Sequence, residues 1–281
     1  MKKVAVIQDL SSFGRCSLTA AIPVLSVLGV QPSPLPTAIL TAQSEYPSYY
    51  CEDLTAHMPH YIEQWQHIDA AFHGIQTGYV TGEAQLAHIC SFLDAFQRDD
   101  TVLLVDPVMG DRGMLYPMLT DEMLINMRQL VRRATIITPN VTEACLLAGV
   151  SYESLHRHTE DITYMAAVTA LAEQLVQLTG ADVFITGVVS RTEHSISTVY
   201  AGREQSLTST AHYNGKSYSG TGDLFASVII GSVLQGSTII EAMTRAERFI
   251  QAAIAATPKH DATIAGVHFE KALHTLLSDV K

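Results

Sequence analysis

The sequence is short of charge, and shorter still of positive charge. Only 16% of its 281 residues are Asp, Glu, Lys or Arg, and 17 Lys and Arg stand against 28 acids, a formal net charge of −11. Such a balance argues against holding nucleic acid or an anionic membrane through basic patches. A small phosphorylated ligand is not excluded, but its phosphate has to be held mainly by backbone N–H groups and metal ions. Cysteine is scarce. Cys16, Cys51, Cys90 and Cys145 lie far apart with no C-x-x-C pair, which disfavours a structural zinc site and reads as buried thiols in a reducing compartment. Long apolar runs are missing. Val4–Ile7 is too short for a signal peptide, and the region from Phe225 to Leu234 falls well short of the ~18–20 residues that span a bilayer. A cytoplasmic protein without membrane partners is expected. Linkers, repeats and low-complexity segments are absent too, so a single domain over 1–281 is expected.

What the chain does have is 47% hydrophobic residues, arranged as short apolar runs alternating with helical patterns. The runs Val4–Ile7, Ala70–Phe72, Thr101–Val105, Ala134–Thr138 and Val183–Thr186 read as strands. An apolar stretch from Leu18 to Leu28, interrupted by Pro23, follows the first run, and helical spacing predicts helices over 83–96, 121–132, 141–148, 161–178, 223–235 and 238–256, with a last one from His268 to Leu277. Residues 195–209 read as a hairpin or edge strands. Pro32, Pro34 and Pro36 read as a stiff connection. All-apolar strands between amphipathic helices predict an α/β fold, with a mostly parallel sheet and helices on both faces. In such sheets ligands bind beyond the carboxyl ends of the strands.

The turns after those strands carry the candidate chemistry. Ser219-Gly220-Thr221-Gly222-Asp223 opens an apolar helix, so its backbone N–H groups and the helix dipole make an anion cradle with an acid beside it. Gly222 is expected to hold a backbone that no β-carbon tolerates. Asp223, beside a helix N-terminus, is expected to be a weak base at rest. The structural alternative is a plain helix start capped by Thr221. Asp106, in Asp106-Pro107-Val108-Met109-Gly110-Asp111, follows a buried strand, where one acid suits a magnesium–phosphate complex; the alternative is a turn Asp bonding its own backbone. Asn140 and Glu143 have the spacing of a capping box, yet Glu143 is also placed to face a metal with Asp106. Gly215-Lys216-Ser217 is not a P-loop, because Thr210 stands where its first glycine belongs. Lys216 remains a loop cation able to meet a phosphate. His57, His60, His67, His156 and His158 lack ligand spacing, and no G-x-S-x-G elbow is present.

The order of D-P-V-M-G, T-P-N-x-x-E and G-T-G-D, after a first strand ending in Ile7-Gln8-Asp9 and then Gly78-Tyr79, resembles the ribokinase-like superfamily, and within it the pyridoxal (vitamin B6) kinase branch. The resemblance covers nearly the whole chain. It implies a three-layer sandwich and an ATP-dependent kinase acting on the 5'-hydroxymethyl group of a B6 vitamer, with Mg2+, a monovalent cation such as K+, and a homodimer. By resemblance Asp223 is the catalytic base, and Gly220, Thr221 and Gly222 form the anion hole. Asp106 and Glu143 organise magnesium. Asn140, Thr186, Gly187 and Lys216 lie toward the nucleotide. Thr41, Ser44 and Tyr79 line the pyridine pocket, and Tyr116 falls in a covering loop. Asp9 stands where many pyridoxal kinases have Ser; an acid there suits a protonated ring nitrogen or an amine. Gly187 likewise replaces a common hydroxyl residue. Hydroxymethylpyrimidine kinases share the fold, and relatives of theirs often end the G-T-G-D motif in Cys. A hydroxymethylpyrimidine kinase or a dual-specificity kinase of the same fold, and a nucleotide-binding protein without catalysis, are the competing readings.

Overall fold

A computed structural model describes residues 1–261 and 263–277. Two compact units divide the chain, one made of Met1–Val102 with the segment from Ser217 onward, the other of Leu103–Lys216.

The first unit begins with β1 (Lys3–Ser11), whose Val4-Ala5-Val6-Ile7 is wholly buried. The strand runs past that apolar run through buried Gln8, Asp9 and Ser11. After α1 (Ser17–Val27), which continues through Pro23, comes β2 (Gln31–Leu40), parallel to β1. The stiff connection expected from Pro32, Pro34 and Pro36 is therefore a strand. Gln31 donates its N–H to the Lys2 carbonyl. Strand alternation then turns the missing donors of all three prolines to the other edge. On that edge the antiparallel β3 (Cys51–Asp53) pairs only with Ala38–Leu40. The pairing thus starts after the last proline.

Helix α2 (Met58–His67) places Trp65 against Phe72, Phe92 and Phe96, with ring centroids 5.2, 5.9 and 6.5 Å away. The strand expected at Ala70–Phe72 lies slightly later, as β4 (Gly74–Thr77), parallel to β1. Buried Gln76 and Thr77 break its apolar pattern; the Gln76 amide donates to Ser227 at 3.1 Å. Helix α3 (Glu83–Phe96) buries Leu86, Ile89, Phe92, Leu93 and Phe96, the i, i+3, i+4 stripe of one face.

β5 (Val102–Val105) belongs to the second unit from Leu103 on; it is parallel to β8 (Ile136–Ile137), and β8 to β9 (Asp182–Val189). Between β5 and β8 lie a small hairpin, β6 (Gly110–Asp111) with β7 (Met114–Leu115), and α4 (Asp121–Val131). Helices α5 (Val141–Ala148), α6 (Tyr152–His156) and α7 (Asp161–Thr179) follow β8. The expected hairpin is the antiparallel pair β10 (Ser195–Ala201) and β11 (Ser206–His212) beside β9.

The chain returns to the first unit for α8 (Thr221–Leu234) and α9 (Ile239–Ala256). Helix α8 is apolar almost all round because it is buried almost all round. The last helix is shorter than expected: a 3-10 turn over Phe269–Lys271 precedes α10 (His274–Leu277). Among the described residues no helix is long and apolar enough to cross a membrane.

Candidate active site

In the first unit the carboxyl end of β1, the start of α1 and the start of α8 come together. Gly220 caps α8 in a left-handed conformation, φ +79°. A β-carbon there would lie 2.0 Å from the Arg15 carbonyl oxygen and 3.0 Å from Cys16 Cα. Only glycine permits that approach. Gly222, expected to be the intolerant position, instead lies in the first helical turn and outside the left-handed glycines. Thr221 is not the cap; its hydroxyl donates to the Tyr218 carbonyl at 3.0 Å. The leading N–H groups of a helix lack intrahelical acceptors, so a glycine-capped mouth is a fitting cradle for a phosphate.

Asp223 sits in that first turn. Burial pushes its carboxyl up from 3.8 to about 7; the backbone N–H of Ser17 opposes the rise and the charge of Asp9 adds to it. The carboxyl expected to be a weak base at rest thus lies near neutrality. Lost hydration outweighs the helix dipole. Asp9 is buried, and burial raises its carboxyl as well. Its Oδ1 accepts the Ser17 hydroxyl at 2.5 Å and its Oδ2 the Ser11 hydroxyl at 2.7 Å. The Cys16 thiol is pushed up by burial and by both acids, so it stays protonated.

Tyr79 is half-buried, and its phenol is pushed up to about 12 by burial, then by Cys51 and Asp9. Its carbonyl accepts the Thr37 hydroxyl at 2.9 Å. Thr41 and Ser44 are exposed, and the Thr41 hydroxyl accepts the Tyr50 N–H at 2.9 Å. Ser11, Cys16 and Ser17 join this group without having been singled out in the sequence. Ser11, two residues past Asp9 on the same face of a strand, carried the one available signal.

The second unit holds the other acids. The capping box is real: Asn140 Oδ1 accepts the Glu143 N–H at 3.1 Å, and Glu143 Oε2 accepts the Asn140 N–H at 2.8 Å. Glu143 Oε1 accepts the Met109 N–H at 3.1 Å. The same buried carboxyl lies well above its usual range, through burial first and the charge of Asp106 second. Glu143 is therefore both a cap and one of two adjoining acids. A divalent cation suits such a pair. Among the described residues no three His, Cys, Asp or Glu could hold a metal, so water and phosphate oxygens would complete the shell, as magnesium prefers.

Asn140 Nδ2 donates to the Gly110 carbonyl at 2.8 Å, and its backbone forms a parallel bridge with Thr186. The Thr186 N–H donates to Pro139 at 3.0 Å. Gly187 is exposed with φ +69°, and nothing lies within 4 Å of a β-carbon there. The Lys216 N–H donates to Asn214 Oδ1 at 3.0 Å, closing a turn. Tyr116 is exposed just after β7. The sequence-predicted residues thus divide. Asp9, Thr41, Ser44, Tyr79 and the Gly220–Asp223 segment belong to the first unit; Asp106, Asn140, Glu143, Thr186, Gly187 and Lys216 belong to the second.

The phosphomethylpyrimidine kinase family model matches residues 14–268. The chain belongs to this family. A Bacteroides thetaiotaomicron protein, assigned as a phosphomethylpyrimidine kinase and crystallised with pyridoxal, is 36% identical to this family member. It superimposes with a TM-score of 0.90 over 98% of this chain and 95% of its own. Pyridoxal kinase from Lactobacillus plantarum is 30% identical, with a TM-score of 0.87 over 99% of this chain and 97% of its own. Those likenesses carry the expected ribokinase-like α/β architecture. A hydroxymethylpyrimidine/phosphomethylpyrimidine kinase of Bacillus subtilis is 27% identical over 182 residues, 64% of this chain and 62% of that enzyme. The chain thus spans less than two thirds of that relative's length.

Proposed function

We propose that this family member is an ATP-dependent kinase that phosphorylates the 5'-hydroxymethyl group of pyridoxal, pyridoxamine or pyridoxine. The observation that carries the reading is Asp223, a carboxyl held near neutrality at a glycine-capped helix mouth. The structure crystallised with pyridoxal and the Lactobacillus pyridoxal kinase support the substrate class.

In this reading Asp223 takes the proton of the attacking hydroxyl. The new O–P bond forms as the bond from the γ-phosphorus to the β–γ bridging oxygen breaks, and ADP leaves. The backbone of Gly220, Thr221 and Gly222 holds the transferring phosphoryl oxygens, a preorganised donor set whose members are worth about 10²–10³ each in rate. Asp9 and Tyr79 hold the ring, with Thr41 and Ser44 at its margin. Asn140, Thr186, Gly187 and Lys216 serve the nucleotide. Asp106 and Glu143 would hold Mg2+, which when bound neutralises phosphate charge. A monovalent cation, a homodimer, a single cooperative domain and a cytoplasmic setting complete the proposal.

Hydroxymethylpyrimidine kinase activity, alone or beside the first, is the second reading; the Bacillus subtilis relative favours it, and Asp rather than Cys at 223 favours the first. Incubation with ATP, magnesium and each B6 vitamer or hydroxymethylpyrimidine, with mass detection of the product, tests both. A phosphorylated vitamer is expected. Product from hydroxymethylpyrimidine alone selects the second reading, and ATP binding without product from either leaves a nucleotide-binding protein.

A further inference from the structure

Ser17 is buried, opens α1, and has a left-handed backbone with φ +48°. Side chains with a β-carbon rarely adopt that conformation, so the surroundings have to hold it. They do so from two sides. The Ser17 hydroxyl is fixed on Asp9 Oδ1 at 2.5 Å, and Asp9 is itself pinned through Oδ2 by Ser11 at 2.7 Å. The preceding backbone at Arg15 and Cys16 lies on Gly220, so near that a β-carbon there would sit 2.0 Å from the Arg15 carbonyl. This seats the start of α1 on the mouth of α8, where the Ser17 N–H favours the charged form of Asp223.

The titratable groups facing Asp223 are Asp9 from β1 and the Cys16 thiol from the segment before α1. The nearby Arg15 guanidinium is engaged by Glu270 at 2.7 Å.

We propose that Ser17 is a positioning residue: Asp9 locks its hydroxyl so that a strained left-handed turn aims its backbone N–H at the Asp223 carboxylate. The proposal rests on the reading of Asp223 as the base, and it names the device that orients that base. It also gives Asp9 a second task beside the ring. A plain turn at a helix start would need neither the strained serine nor a doubly pinned acid.

The test has an arm that needs no substrate. In the parent protein the Ser17 amide proton is expected to shift with pH, with a midpoint near the Asp223 value of about 7. That titration should vanish in Asp223→Asn. A Ser17 amide that is flat with pH, or that still titrates in Asp223→Asn, overturns the proposal, whatever the enzyme phosphorylates. Failure of the function itself would show instead as absence of phosphorylated product with the amide titration intact.

The second arm is kinetic. Ser17→Ala removes the lock and leaves a β-carbon in the strained turn, so kcat should fall about 10–100-fold, as for a displaced catalytic group, with KM for ATP unchanged. Ser17→Gly also lacks the hydroxyl but adopts the left-handed turn freely, and should recover most of that loss. Parental turnover in Ser17→Ala, or equal loss in both variants, would show that the aimed N–H does not matter.

Discussion

In the proposed mechanism Asp223 couples protonation to both stability and rate. Its carboxyl lies at about 7 in the fold against an ordinary 3.8. Between those values the folded state binds the proton more tightly than the unfolded chain. The stability this contributes is therefore present at low pH and is lost as pH rises toward 7. Asp223→Asn removes the ionisation, so it should melt above the parent at pH 8, with the advantage shrinking toward pH 4 in calorimetric scans. Activity has the opposite slope. The base works ionised, so kcat/KM should fall about tenfold per unit below pH 7, and Asp223→Asn should lower kcat at least about a hundredfold with ATP affinity little changed. A variant that turns over normally removes the residue from the chemistry. The two motif glycines should also part company. Gly220→Ala forces a β-carbon into the Arg15 carbonyl at positive φ, a strain of about 1–3 kcal/mol or more in urea unfolding. Gly222→Ala, in helical backbone, should be neutral or gain about 0.5–1 kcal/mol.

Among the elements, β2 and α5 make the sharpest demands. Leu35, fully buried in β2 between Pro34 and Pro36, should cost about 2–5 kcal/mol on change to Ala if the segment is a core strand rather than a connection. A loss below about 1 kcal/mol would return it to a surface linker. For α5, Glu143→Gln leaves one side-chain oxygen where two now accept the Asn140 and Met109 N–H groups. The cap weakens by about 0.5–2 kcal/mol, and the magnesium concentration needed for half-maximal activity should rise. Lower stability with unchanged magnesium dependence would leave Glu143 as a cap alone. The same two elements show what a sequence makes legible. Helix α3 stands where periodicity places it, because burial of one face sets the spacing, and α5 starts where the Asn140–Glu143 capping box places it. β2 was hidden because proline normally disqualifies a strand, and only an edge facing away from the partner tolerates three of them. β4 was displaced because buried Gln76 and Thr77 interrupt its apolar run, with the Gln76 amide satisfied inside the core by Ser227. At the site, the acids and glycines announce themselves by motif. Ser17 does not, because a left-handed serine is created by tertiary neighbours more than two hundred residues apart in the chain, Asp9 and Gly220.

The whole molecule carries a net charge of −11 and yet is proposed to take an anionic nucleotide. A protein that captured ATP through clustered lysines would lose affinity as salt screened them. Here the proposed grip is backbone N–H groups at a helix mouth and a cation between two acids, short-range contacts that salt screens little. The long-range field of the acidic chain repels the nucleotide, so screening it should help the encounter. The association rate of magnesium-ATP is therefore expected to hold steady or rise between about 20 and 300 mM tetramethylammonium chloride, a salt whose large cation does not fill a potassium site, at ionic strengths that shorten the Debye length from about 20 Å to under 6 Å. Stopped-flow binding measures this directly. A steep fall in the rate would reveal a basic steering surface and would place phosphate capture on side chains such as Lys216 rather than on the glycine-capped mouth of α8.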